Sequence, residues 1–137
     1  MAVQIGNALY IVKLEKGTVR RLAKGGHPSW SPDGTCIAYL GEVAGKVGVF
    51  EVNIKTGGSR PYSWMPETAV GLTWSPTGEH VAVYSFCEDE PEPKQCLSIA
   101  RPDGRDERIL VKWRRIYGLT LTWGPEGPYI YLVGRDR

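Results

Sequence analysis

The sequence predicts an all-β chain of three four-stranded β-propeller blades, one of them split between the N- and C-terminal ends. Three observations carry this reading. A Trp-small-Pro-x-Gly turn occurs three times, and its tryptophans, Trp30, Trp74 and Trp123, lie 44 and 49 residues apart, the period at which four-stranded blades repeat. A second set of glycine-containing hairpins is interleaved with the first. No segment sustains the 3.6-residue apolar periodicity of a helix.

The elements follow in chain order, with blade positions lettered A to D from the axis outward. Residues 1–26 hold a strand at Ala8 to Leu14, the turn Glu15-Lys-Gly-Thr18 and a strand at Val19 to Leu22. They supply positions C and D of the split blade. Residues 27–69 form a whole blade. Its inner strand ends at Trp30, Pro32 fixes φ for the turn, and Gly34 tolerates positive φ at the exit. Cys36 to Leu40 then runs back, and Val47 to Ile54 and Arg60 to Ser63 flank the turn Lys55-Thr-Gly-Gly58. Residues 70–116 repeat the plan with strands at Thr73 to Ser75, Val81 to Phe86, Gln95 to Arg101 and Glu107 to Val111. Residues 117–137 supply positions A and B, at Thr120 to Gly124 and Tyr129 to Val133. The whole of 1–137 reads as one domain, half of a propeller.

Composition narrows the function classes. Hydrophobic residues make up 42% and charged residues 23%, ordinary values for a globular protein. Seventeen basic and 15 acidic residues leave a net charge of +2, which gives little pull toward nucleic acid or an anionic membrane. Apolar runs such as Leu9 to Val12 are too short to span a bilayer. Met1 to Leu14 lacks the basic region and apolar stretch of a signal peptide. That favours a cytoplasmic chain, although a trimmed mature chain reads the same. Five Trp and seven Tyr against two Phe suit strands with broad faces to pack.

The segment His27-Pro-Ser-Trp-Ser-Pro-Asp-Gly34, with Ile37-Ala-Tyr39, resembles the PD40 or TolB-like (WD40-like) propeller repeat. It is also similar to blades of tricorn protease and of the prolyl oligopeptidase family. The resemblance covers nearly the whole chain. The second copy departs from it with Thr77 in place of Asp, and the third with Gly124 and Glu126 in place of Ser and Asp. All three departures sit at turn positions. The resemblance implies a propeller of roughly six to eight blades and no single activity, because function lives in sites grafted onto the fold.

Few residues point to chemistry. Cys87 and Cys96 flank the loop Glu88 to Gln95 on strands expected to pair antiparallel. They can sit opposite each other and form a disulfide, or stand as two free thiols, and the sequence shows no oxidising compartment. Cys36 reads as a core residue of its strand. Glu88, Asp89, Glu90 and Glu92 offer oxygens to a cation. Two prolines interrupt them, though, and a solvated loop tip is the better account. Lys112 to Arg115 with Tyr117 mixes charge and aromatics, as single-strand nucleic-acid binders do, but also as an ordinary connection between blades does. His27 and His80 fall in different repeat contexts, which argues against a shared metal site. Asp33 and Asp103 are turn residues. No zinc, phosphate-loop or serine-elbow motif is present, so no cofactor and no catalysis are expected.

Two function classes remain. The leading one is a non-catalytic scaffold or protein-interaction module. Strand alternation gathers the B–C loops and the D–A connections on one face, which carries His27, Trp64, Met65, Trp113, Arg114, Arg115 and Tyr117, several of them types enriched at binding hot spots. The plainer account of Trp64 and Trp113 is packing between blades. The alternative class is a ligand-binding or hydrolase- or lyase-like propeller using the central tunnel. A fragment with no separate function is a third possibility. Three blades cannot close a ring, and open blade faces and strand edges are normally avoided. The sequence therefore predicts a homodimer forming a six-bladed ring, in which one chain's strand at Tyr129 to Val133 pairs with the other's at Ala8 to Leu14.

Overall fold

A computed structural model describes residues 1–62, 68–87, 94–114, 117–126 and 129–135, with the side chains of 43, 46 and 117–119 outside the description. Its strands are β1 (Ala2–Ile5), β2 (Ala8–Lys13), β3 (Thr18–Lys24), β4 (Gly26–Trp30), β5 (Cys36–Val43), β6 (Lys46–Asn53), β7 (Ser59–Pro61), β8 (Ala69–Trp74), β9 (Val81–Cys87), β10 (Lys94–Ala100), β11 (Arg108–Trp113), β12 (Tyr117–Trp123) and β13 (Ile130–Arg135). No helix occurs among the described residues. The strands form four antiparallel sheets in chain order: β1-β2-β3, β4-β5-β6-β7, β8-β9-β10-β11 and β12-β13.

Each sheet is apolar on the faces it turns to its neighbours, because successive strand residues point to opposite sides. Along β5, Ile37 and Tyr39 join Leu9 and Val52 in a core between the first and second sheets. Ala38 and Leu40, one residue out of phase, join Val49, Leu72, Val81 and Val83 in a core between the second and third. Ala82, Leu97 and Ile99 continue it against Leu121, Trp123 and Ile130 of the fourth. Full burial of one such aliphatic side chain contributes about 1.5–3 kcal/mol. Polar ties repeat across the stack. Ser29 Oγ accepts the Trp74 backbone N–H at 3.0 Å, and the Thr73 carbonyl accepts the Trp123 indole N–H at 3.3 Å.

The repeated turn works by local hydrogen bonding. Asp33 Oδ1 accepts from Ser31 Oγ at 2.7 Å, from Thr35 N at 3.0 Å and from Thr35 Oγ1 at 2.8 Å. Ser31 Oγ also accepts the Cys36 N–H at 3.0 Å, closing the turn. In the second copy the Thr77 hydroxyl stands where the Asp33 carboxylate stood, 3.3 Å from Ser75 Oγ. Ser75 Oγ likewise accepts the His80 N–H at 3.1 Å. In the third, Gly124 N–H reaches the Tyr129 carbonyl at 2.8 Å, and Gly124 has no hydroxyl to add. The departures at Thr77 and Gly124 thus leave the closing backbone bond in place.

Two features differ from the sequence reading. Residues 1–26 hold three strands rather than two, since β1 pairs with β2 from Ala2↔Ile11 to Ile5↔Ala8. The strand β2, expected to have a free inner edge, is paired on both sides. The second concerns the cysteines. Cys87 and Cys96 are joined in a disulfide with Cα atoms 5.9 Å apart, but they are not opposite each other. Cys87 faces Lys94 and Cys96 faces Ser85, so the bridge runs diagonally between neighbours on one face of the hairpin. Cys36 is a free thiol, half-buried.

Candidate functional site

The inner strands β4, β8 and β12 lie side by side at one edge of the stacked sheets. A groove of about 290 Å³ runs across them, lined by His27 and Pro28 of β4, Val70 to Leu72 of β8, Thr120 and Leu121 of β12, and Tyr84 of β9. Gly71 makes room for it. A Cβ at that position would lie 2.6 Å from the Tyr84 ring, so only glycine lets the tyrosine lie across β8. Burial holds the Tyr84 hydroxyl above its usual range.

His27 is exposed and has φ +52, a left-handed conformation uncommon outside glycine. A long-range bond holds it there: its backbone N–H donates to Gln4 Oε1 at 2.9 Å, while Gln4 Nε2 donates to the Gly6 carbonyl at 3.0 Å. The first strand therefore positions the histidine at the groove. Neither a carboxylate nor a thiol is among the groove's lining residues. The groove can take an apolar or aromatic group and offer it the imidazole, a phenol and the Thr120 hydroxyl as hydrogen-bonding partners. A second cleft, of about 610 Å³, lies between the outer parts of the first two sheets and is lined by Ile11, Val19, Ile54 and the basic Lys13, Arg20 and Lys55. Arg20 is already committed there, donating to the Ile54 carbonyl.

Of the other residues singled out by sequence, the described ones, Trp113 and Arg114, do not line the groove with His27. Trp113 is half-buried in the contact between the third and fourth sheets, its indole N–H donating to Gln95 Oε1 at 3.1 Å. Packing between blades accounts for it. Arg114 is exposed at the end of the third sheet. Tyr117 opens β12, with its side chain outside the description, and Trp64, Met65 and Arg115 lie outside the described residues, as does the acidic run Glu88 to Glu92. Among the described residues, no group of three or more metal-ligating side chains converges.

Sequence reasoning missed one polar cluster. Glu51, buried on β6, accepts from Arg60 Nη2 at 2.9 Å and from the Tyr62 hydroxyl at 2.6 Å. Burial first, and the bond to the carboxylate second, push the Tyr62 phenol far above its ordinary range. The Arg60 guanidinium is held still more firmly in its charged form by Glu51. Cys36 lies near this carboxylate, and burial above all raises its thiol, which makes it a weak nucleophile. The signal in the sequence was a charged residue at an inward position of β6, two residues after Val49.

No family model matches the chain, and no curated protein matches it. Solved structures do. It superposes on a putative TolB from Agrobacterium tumefaciens with a TM-score of 0.71 and 18% identity, over 95% of this chain and 51% of that one. TolB from Acinetobacter baumannii gives 0.65 and 20%, over 93% and 32%. The β-propeller domain of the Trilobed protease from Pyrococcus furiosus gives 0.60 and 15%, over 95% and 46%. At these identities the likeness is one of fold. The chain has the β-propeller architecture and spans about half or less of the length of these structures.

Proposed function

We propose that this chain is a non-catalytic propeller module that closes a six-bladed ring with a second copy of itself, and that the closed ring serves as a scaffold for binding. The observation that carries the reading is where apolar surface is left bare. Apart from Trp30, every exposed large hydrophobic residue among the described ones lies between Met1 and Val19 or from Ile109 onward. Val19 is 60% exposed, Ile109 52%, Tyr131 56% and Val133 66%. The described residues of strands β5 to β10, between these ends, include none. Bare apolar surface confined to two ends of one stack is what ring closure would cover. The non-catalytic part rests on the groove, whose described lining sets no carboxylate or thiol beside the histidine.

One observation favours a second reading, that the chain is part of a longer propeller. It covers 22% of acylaminoacyl peptidase and at most 51% of the similar chains above, and the missing blades would then lie on the same polypeptide. Light scattering on the 137-residue chain separates the two. A mass of twice 15.2 kDa is expected. A monomer at all concentrations would remove the self-closing ring and leave the second reading.

A further inference from the structure

The chain has two strands for one place. In the complete blades, the strand at position B pairs antiparallel with the strand at C: β5 with β6, and β9 with β10. In the first sheet β1 holds that place, antiparallel to β2. The fourth sheet ends on another B strand, β13, whose second edge is unpaired among the described residues. Resting on the ring reading above, we propose that β1 is a placeholder, and that ring closure requires the β13 of a second copy to displace it from the edge of β2.

Strand direction makes the two mutually exclusive. Both run opposite to a C strand, so β13 would lie parallel to β1 and cannot extend the sheet beyond it in the antiparallel pattern of every other pair here. The repeat also fixes where β13 would land. Ile37 pairs with Val52 and Val81 with Ala100, and the shared turn sequence places Ile130 at the Ile37 position. The turn after Val52, with Gly57 N–H on the Asn53 carbonyl, recurs after Val12, with Gly17 N–H on the Lys13 carbonyl. Ile130 would therefore oppose Val12, and Tyr131 would oppose Ile11, the residue now facing Ala2.

The exchange favours the incoming strand. β1 has four residues with its last two exposed, whereas β13 has six. Tyr131 in place of Ala2 brings an aromatic face that is 56% exposed in the free chain. β1 is held by its four-residue pairing with β2, by Ala2 against the first core, by the Met1 ammonium on the Val12 carbonyl at 3.0 Å with the reciprocal backbone bond at 2.8 Å, and by Gln4 on His27. The last of these ties the exchange to the axial groove, because releasing β1 frees the backbone of His27.

Two full-length variants sharing one cysteine test this. Met1 and Val12 exchange both backbone bonds, so Ala2 and Ile11 are a non-hydrogen-bonded pair, with side chains close enough for a disulfide. Ala2→Cys with Ile11→Cys, treated with oxidised glutathione, locks β1 in place. Tyr131→Cys with Ile11→Cys reports the new register. The proposal expects the locked variant to be monomeric with a dimer affinity at least about tenfold weaker than after reduction, and the second variant to give a covalent dimer on a non-reducing gel. The unsubstituted chain carried through both treatments sets the baseline. A locked variant that still forms a two-chain ring overturns the placeholder and keeps the ring. Monomers throughout, with no covalent dimer, overturn both.

Discussion

Glu51 shows how much one inward position can demand. A carboxylate at that depth must be answered by hydrogen bonds. Arg60 answers one oxygen, but its side chain is 71% exposed, so that ion pair is weak. The Tyr62 hydroxyl answers the other from inside. Tyr62→Phe should lower the free energy of unfolding by about 1–3 kcal/mol, and an unchanged urea midpoint would show that Arg60 suffices. The raised Tyr62 phenol also sets a pH window. Folding contributes its stability while unfolded tyrosine is protonated, and that contribution fades as pH climbs past about 10, the unfolded value. The wild type should therefore lose more stability above pH 10 than Tyr62→Phe does. Asp33 works with the opposite sign. The Thr35 backbone N–H, then the Ser31 and Thr35 hydroxyls, hold its carboxyl below 3.8. Its contribution is present above the ordinary aspartate range and is lost as pH falls through its own lower value. An NMR titration should find it below the aspartates that lack such donors. The partners of Glu51 were not legible in sequence, because they depend on register between strands: Arg60 opposes Glu51 only once β6 and β7 are paired.

The strands and turns themselves were largely legible, because the Trp-small-Pro-x-Gly pattern occurs three times and each copy closes with the same backbone bond, Ser31 N–H to the Cys36 carbonyl, Ser75 N–H to that of His80 and Gly124 N–H to that of Tyr129. The first strand was not, although the signal for it exists. Gly6-Asn7 separates Ala2–Ile5 from Ala8–Lys13, and Gly6 sits at φ +60, as a two-residue hairpin turn opening on glycine requires. Four residues at the start of the chain gave too short an alternation to read. The disulfide was left open in sequence because spacing alone cannot tell whether two cysteines share a face. In the structure they do, two residues apart in register on the β9-β10 hairpin. A cross-link spanning nine positions constrains the unfolded chain by about 2–3 kcal/mol. A reducing agent should therefore lower the unfolding free energy by that amount, and a Cys87→Ser variant should show no further response. Gly25 closes the junction between the first two sheets. A Cβ there would lie 2.3 Å from the Leu40 carbonyl oxygen, a backbone atom that cannot step aside. Gly25→Ala should destabilise by about 1–3 kcal/mol, measured by thermal unfolding.

At the scale of the molecule, sequence could count the sheets but not say what covers the outermost ones. An apolar alternation on both faces of a strand demands two neighbours and names neither. In the structure β5 has both, buried from Ile37 through Leu40, while Tyr131, Leu132 and Val133 of β13 face solvent. If a second copy covers them, association stabilises the folded chain, and mass action makes stability depend on concentration. Each tenfold rise in protein should then add about 1.4 kcal/mol per dimer and raise the thermal midpoint by a few degrees, on the order of 2–4 °C per kcal/mol for chains of this combined size. Tyr131→Asp isolates the cause. The residue is more than half exposed within one chain, so a charge there should leave the isolated fold nearly intact. At a ring seam the same charge would be buried without a partner. The variant should have a midpoint that stays flat over a hundredfold range of concentration and a mass of one chain. A midpoint that climbs with concentration as steeply in Tyr131→Asp as in the wild type would mean that β13 does not form the seam.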